Sequence, residues 1–102
     1  MNNDDIKLVT IFTEAALESQ LVKDIDSLGA PGYTITNARG KGRRGLRGAS
    51  WEANSNIRVE IICAQPVAED ILAHLHKTYY DNYAMVSFSN DIQVLRPEKF
   101  NP

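Results

Sequence analysis

The stretch Asn56-Ile57-Arg58-Val59-Glu60-Ile61-Ile62-Cys63 places Ile57, Val59, Ile61 and Cys63 on one side and Arg58 and Glu60 on the other. A period of two with one apolar face is the pattern of a half-buried antiparallel strand. A helix follows. Pro66 suits its first position, Glu69 and Asp70 complement its positive end, and Val67, Ile71, Leu75 and Thr78 fall on one stripe before Asp81-Asn82 ends it. A one-faced strand leading into a one-striped helix is half of a two-layer fold, and the rest of the chain supplies the other half.

Towards the N-terminus, Tyr33-Thr34-Ile35-Thr36-Asn37-Ala38 has strand composition and follows the turn Gly29-Ala30-Pro31-Gly32. Before that turn, Leu17, Leu21, Ile25 and Leu28 recur at helical spacing, with Thr13 as the expected N-cap, Glu14 near the positive end and Gly29 as the stop. Lys7 to Thr13 is rich in β-branched and aromatic residues and too short for a helix, so it reads as a first strand. Towards the C-terminus, Met85-Val86-Ser87-Phe88 and Ile92-Gln93-Val94-Leu95 flank Ser89-Asn90-Asp91, which reads as a turn between a fourth strand and a small extension. The order βαββαβ predicts an α+β, ferredoxin-like fold over a single domain, residues 1–102: a four-stranded antiparallel sheet with two helices on one face.

Such a fold hosts many functions, so function has to come from a site. A hairpin between strands two and three needs only a few residues, yet about fifteen separate them here, and a long connection in a small domain calls for a use. Arg39, Lys41, Arg43, Arg44 and Arg47 fall within nine residues that contain no acid. The chain has 11 basic and 13 acidic residues, so the remainder holds six bases against 13 acids and the loop at +5 stands against a body at −7. In Gly40-Lys41-Gly42-Arg43-Arg44-Gly45-Leu46-Arg47-Gly48, glycines let backbone N–H groups approach an anion, and guanidinium forks match phosphate oxygens. The segment is expected to act as a flexible phosphate-binding loop, spanning about residues 40–55. It is neither a P-loop, for want of a Gly-Lys-Ser/Thr ending, nor a dinucleotide fingerprint, for want of a helix opening after it.

Other functions fit less well. An RNA-binding module could use the Arg-Gly run with Trp51 stacking on bases, but the body is acidic and the third strand carries no alternating aromatics. A small phosphate-handling enzyme of the acylphosphatase kind would need an arginine in a tight loop after strand one, where this chain reads as helix. No catalytic residue is expected. His74 and His76 are two apart on a helix, cannot form an i, i+4 metal pair, and read as solvent-facing; no metal site is expected. Cys63 lies on the apolar face as a buried thiol. Tyr79, Tyr80 and Tyr83 are expected to pack at a core rim or a subunit contact. One cysteine, an acidic N-terminus and no long apolar run fit a cytoplasmic protein without membrane insertion.

Gly29-Ala30-Pro31-Gly32-Tyr33-Thr34-Ile35 followed by Gly40-Lys41-Gly42-Arg43-Arg44 resembles the stretch leading into the T-loop of PII signalling proteins. Tyr79-Tyr80-Asp81-Asn82-Tyr83-Ala84 and Val94-Leu95 resemble the PII-like branch of SbtB-type bicarbonate-transporter regulators and carboxysome-associated PII proteins. The resemblance implies a homotrimer with an adenine nucleotide in each cleft between subunits and a T-loop reporting to a partner, such as a bicarbonate or other membrane transporter or a carboxysome component. By position it implies nucleotide contacts from Thr34, Gly40, Lys41, Gly42, Arg44, Arg47, Glu60, Tyr83, Ala84 and Arg96. Gly-Asp-Gly-Lys is missing from the B-loop, Met85 stands in place of a glycine, and Arg44 stands in place of the metal-linked glutamine. The implied ligand is therefore metal-free AMP, ADP or cyclic AMP in preference to magnesium-ATP, with no covalent cofactor. No tyrosine lies between Gly40 and Asn56 for uridylylation.

Overall fold

The computed structural model describes residues 5–40 and 55–100. Strand β1 (Ile6–Glu14) enters a 3-10 turn (Ala15–Leu17) and helix α1 (Glu18–Ser27); β2 (Thr34–Ala38) and β3 (Asn56–Ala64) precede α2 (Gln65–Thr78); β4 (Met85–Asp91) and a 3-10 turn (Pro97–Lys99) complete the order. The sheet runs β2-β3-β1-β4 with every neighbouring pair antiparallel. This is the ferredoxin-like α+β arrangement that the sequence predicts.

Alternation along the strands sorts side chains to two faces. Val9, Ile11, Ile57, Val59, Ile61 and Cys63 are buried against Leu17, Leu21 and Ile25 of the first helical segment and Ala68, Ile71 and Leu75 of α2. Burial pushes the Cys63 thiol up to about 11, so it is an unreactive core group. The opposite face carries no helix among the described residues. There Thr34, Glu60, Thr10 and Phe88 form one row and Thr36, Arg58, Phe12 and Val86 the next. Phe12 is 36%, Phe88 41% and Val86 58% exposed, and the two phenylalanine rings lie 6.5 Å apart.

Helix α1 stops as its sequence dictates. Gly29 adopts φ +96°, where a side chain is strained, its N–H reaches Asp26 O at 3.1 Å, and Ala30 N–H reaches Ile25 O at 3.1 Å. That pair of bonds is a Schellman cap.

Four local expectations are corrected. Thr13 is no N-cap: β1 pairs on both edges and continues through Thr13 to Glu14, and the Thr13 hydroxyl donates elsewhere. Ser89-Asn90-Asp91 is no turn: these residues pair with Val9, Leu8 and Lys7, and Asp91 forms an ion pair with Lys7. Backbone pairing along the free edge of β1 outweighs their turn propensity, and residues 92–95 add no strand. Glu69 and Asp70 sit past the first turn of α2, too far along to complement its start.

His74 is the fourth correction, because it is only partly exposed and its ring is engaged by a carboxylate. Its Nε2 lies 2.9 Å from the Asp24 carboxylate, which also accepts bonds from the Tyr79 hydroxyl and from Gln20 Nε2 at 3.0 Å. Burial pushes the Asp24 carboxyl up, but the bonds from Tyr79, His74 and Gln20 outweigh it and hold the group below the usual carboxylate range. The Tyr79 hydroxyl is driven up, first by burial and then by Asp24. This cluster ties α1 to the end of α2.

Candidate functional site

One end of the sheet gathers the feet of the long loop. Ala38 ends β2 opposite Asn56, and Asn56 in turn faces Glu14 at the end of β1. Gly40 lies two residues beyond Ala38, and its α-carbon has open space on the side where a side chain would project. Ser55 is fixed there too, since Ala15 N–H donates to its carbonyl at 2.7 Å.

The segment before β4 arrives at the same end. Tyr79, in the core, bends the chain: Asn82 N–H and Tyr83 N–H both donate to its carbonyl, at 3.1 and 3.0 Å. Tyr83 packs edge-on against the Tyr79 ring at 5.8 Å and remains 38% exposed. Beyond it the Ala84 peptide is held on both sides by β1. The Thr13 hydroxyl donates to Ala84 O at 2.9 Å, and Ala84 N–H donates to the Glu14 carboxylate at 3.1 Å. Tyr80 secures the start of β4, its hydroxyl pairing with Ser87 Oγ at 2.7 Å and accepting from Ser87 N–H at 3.0 Å.

Of the residues singled out from the sequence, Gly40, Tyr83 and Ala84 thus belong to this end. Thr34 and Glu60 are cross-strand partners on the helix-free face, four residues along their strands from Ala38 and Asn56, about 13 Å at the rise of a strand. Arg58 reaches toward Glu60 at 4.0 Å. Arg96 is exposed and follows β4 off the other end, where Ile92 N–H bonds to Ile6 O. One chain therefore places Gly40, Tyr83 and Ala84 at the same end of the sheet, Gly40 beyond β2 at one edge and Tyr83 and Ala84 before β4 at the other, pairs Thr34 with Glu60, and leaves Arg96 at the opposite end. Lys41, Gly42, Arg43, Arg44, Arg47 and Trp51 lie outside the described residues.

Sequence reasoning missed Thr13 and Glu14 as groups of this end, since their partner lies about seventy positions away. Among the described residues, no three His, Cys, Asp or Glu side chains are grouped to hold a metal, and no helix is long and apolar enough to cross a membrane.

The family model for nitrogen regulatory protein P-II matches residues 6–99. A PII-like signalling protein from Thermus thermophilus is 45% identical, with a TM-score of 0.79 over 93% of this chain and 94% of that one. The protein CPII from Thiomonas intermedia, solved with ADP and bicarbonate, is 27% identical, with a TM-score of 0.79 over 93% of each chain. The same protein with ADP, AMP and bicarbonate gives 26% identity and a TM-score of 0.78 over 93% of this chain and 92% of that one. With a family model spanning nearly the whole chain and a sheet of the same topology, this chain belongs to the PII family, as a PII-like signalling protein.

Proposed function

We propose that this protein is a non-enzymatic, trimeric regulator that binds an adenine nucleotide, AMP, ADP or cyclic AMP in preference to magnesium-ATP, in clefts between subunits. The observation that carries the reading is that both feet of the basic loop and the Tyr83-Ala84 segment lie at the same end of the sheet, with the β3 foot beside the end of β1 that holds Ala84. CPII, which shares this topology, is a nucleotide complex with ADP and AMP. Gly40, Lys41, Gly42, Tyr83 and Ala84 would line the ligand, with Arg44 and Arg47 on its phosphates through charge-assisted bonds.

Thr34, Glu60 and Arg96 stand away from that group within a chain, so they serve a site only if a neighbouring subunit presents them. A second copy is also what the helix-free face calls for. Phe12, Val86 and Phe88 form an uncovered apolar patch beside the polar strip of Thr34, Thr36, Arg58 and Glu60, and such patches mark contact surfaces. Occupancy of the cleft would neutralise Arg44 and Arg47 and change the loop's fit to a partner, a transporter or carboxysome component involved in inorganic carbon supply. The bicarbonate in CPII supports that direction.

Calorimetry with AMP, ADP, ATP and cyclic AMP tests the reading. Micromolar binding that falls at least tenfold in the Arg44→Ala, Arg47→Ala double variant is expected, the loss of two charge-assisted contacts being worth about 1.5–3 kcal/mol each. Absence of adenine-nucleotide binding would sink it, as would sedimentation of the chain as a monomer at working concentration.

A further inference from the structure

Both backbone polar groups of Ala84 are held by consecutive residues of β1, and the two holders differ in kind. Thr13 supplies a neutral donor to the carbonyl at 2.9 Å. Glu14 supplies an anionic acceptor to the N–H at 3.1 Å. A neutral amide oxygen would accept that bond with less desolvation, so the bond alone does not account for a carboxylate. Nor does ion pairing, for among the described residues the pairs are Lys7–Asp91, Arg58–Glu60 and His74–Asp24, and none involves Glu14. The carboxylate is half-buried beside the returning foot of the loop, with Glu14 opposite Asn56 and the next N–H on Ser55. A fixed negative charge therefore sits where three segments meet.

We propose that Glu14 is a specificity-determining residue that selects against long phosphate chains. The inference rests on the reading that Ala84 borders the bound nucleotide. A phosphate arriving there competes with the carboxylate for the same N–H and is repelled by its charge. The repulsion grows from adenosine, which has no phosphate, through AMP and ADP to ATP. Glu14 thus tilts the site toward ligands of low charge.

The test is calorimetric titration of the full chain and of Glu14→Gln with adenosine, AMP, ADP and ATP, without divalent metal, at low and high salt. Gln keeps an acceptor for the Ala84 N–H and removes the charge. The expected result is ATP binding about three- to tenfold tighter in Glu14→Gln, a smaller gain for AMP, none for adenosine, and a difference that shrinks with salt as a partly screened unit charge requires. Glu14→Ala must move the ATP-to-AMP ratio the same way, which guards against a defect peculiar to one variant. A change common to all four ligands, or an unchanged ratio, overturns the role of Glu14 while leaving the nucleotide reading intact. Binding of none of the four by any of the proteins overturns both.

Discussion

Asp24 and Glu14 are two partly buried carboxylates of one small chain, and their neighbours treat them differently. Asp24 accepts bonds from Tyr79, His74 and Gln20, and those donors together outweigh the penalty of burial. Glu14 accepts from the backbone N–H of Ala84 beside the feet of the basic loop. The donors around Asp24 come from the two helices and the turn after α2, so its charge goes to holding the helix layer together. The charge on Glu14 exceeds what one N–H needs, which leaves it able to act on a ligand. What separates a packing carboxylate from one with an electrostatic task is the set of donors around it, more than its burial.

The strongest way to break this contrast is through Tyr79, which is in the core, donates to Asp24 and carries the turn to Tyr83. Tyr79→Ala opens a cavity and strips Asp24 of a donor, so a loss of about 3–5 kcal/mol is expected, a large share of the roughly 5–15 kcal/mol of a small domain. Urea unfolding followed by far-UV circular dichroism measures it. A loss under about 1 kcal/mol would mean that the cluster does not hold the helices.

Asp24→Asn should lie below that, at about 1–3 kcal/mol near neutral pH, because Asn still accepts from Tyr79 but lacks the charge that strengthens the bonds. Its pH dependence has a definite sign. The carboxyl is held below its ordinary value in the folded state, so its contribution is fully present above about pH 5 and is lost as pH falls below about 4 and through the lowered folded-state value. The stability gap between wild type and Asp24→Asn is therefore expected to close as pH falls below about 4. A gap that widened in acid would contradict the hydrogen-bond account of this group.

Much of the fold is legible along the chain because its signals are local. The period of two in Asn56 to Cys63, the stripe of Ile71 and Leu75, and Gly29 as a helix stop all operate within a few residues. What escaped local reading is what distant partners decide. Thr13 has the chemistry of a cap, yet pairing of β1 with both β3 and β4 keeps it in a strand. Ser89 to Asp91 have turn chemistry, yet the edge of β1 recruits them. His74 joins a carboxylate 50 positions earlier, which no helical periodicity announces. The site divides the same way. Gly40 and Ala84 are candidates that motif resemblance names, whereas nothing near Glu14 in sequence marks it, because its partner, the N–H of Ala84, lies 70 positions away.

Thr13 gives the finest test, since it holds the same residue as Glu14 without a charge. Thr13→Val preserves shape and burial and deletes the donor to Ala84 O, so about 1 kcal/mol of stability should be lost. If Ala84 borders the nucleotide, loosening its peptide should weaken AMP, ADP and ATP by one common factor, since a neutral hydroxyl cannot distinguish phosphate charge. Calorimetry on Thr13→Val with the three nucleotides reads this directly. A ratio of ATP to AMP affinity that moved as in Glu14→Gln would show that the position of the peptide, and not the carboxylate charge, sets selectivity. A constant ratio with uniformly weaker binding separates the two neighbours: Thr13 fixes where the peptide lies, and Glu14 governs which ligand that peptide accepts.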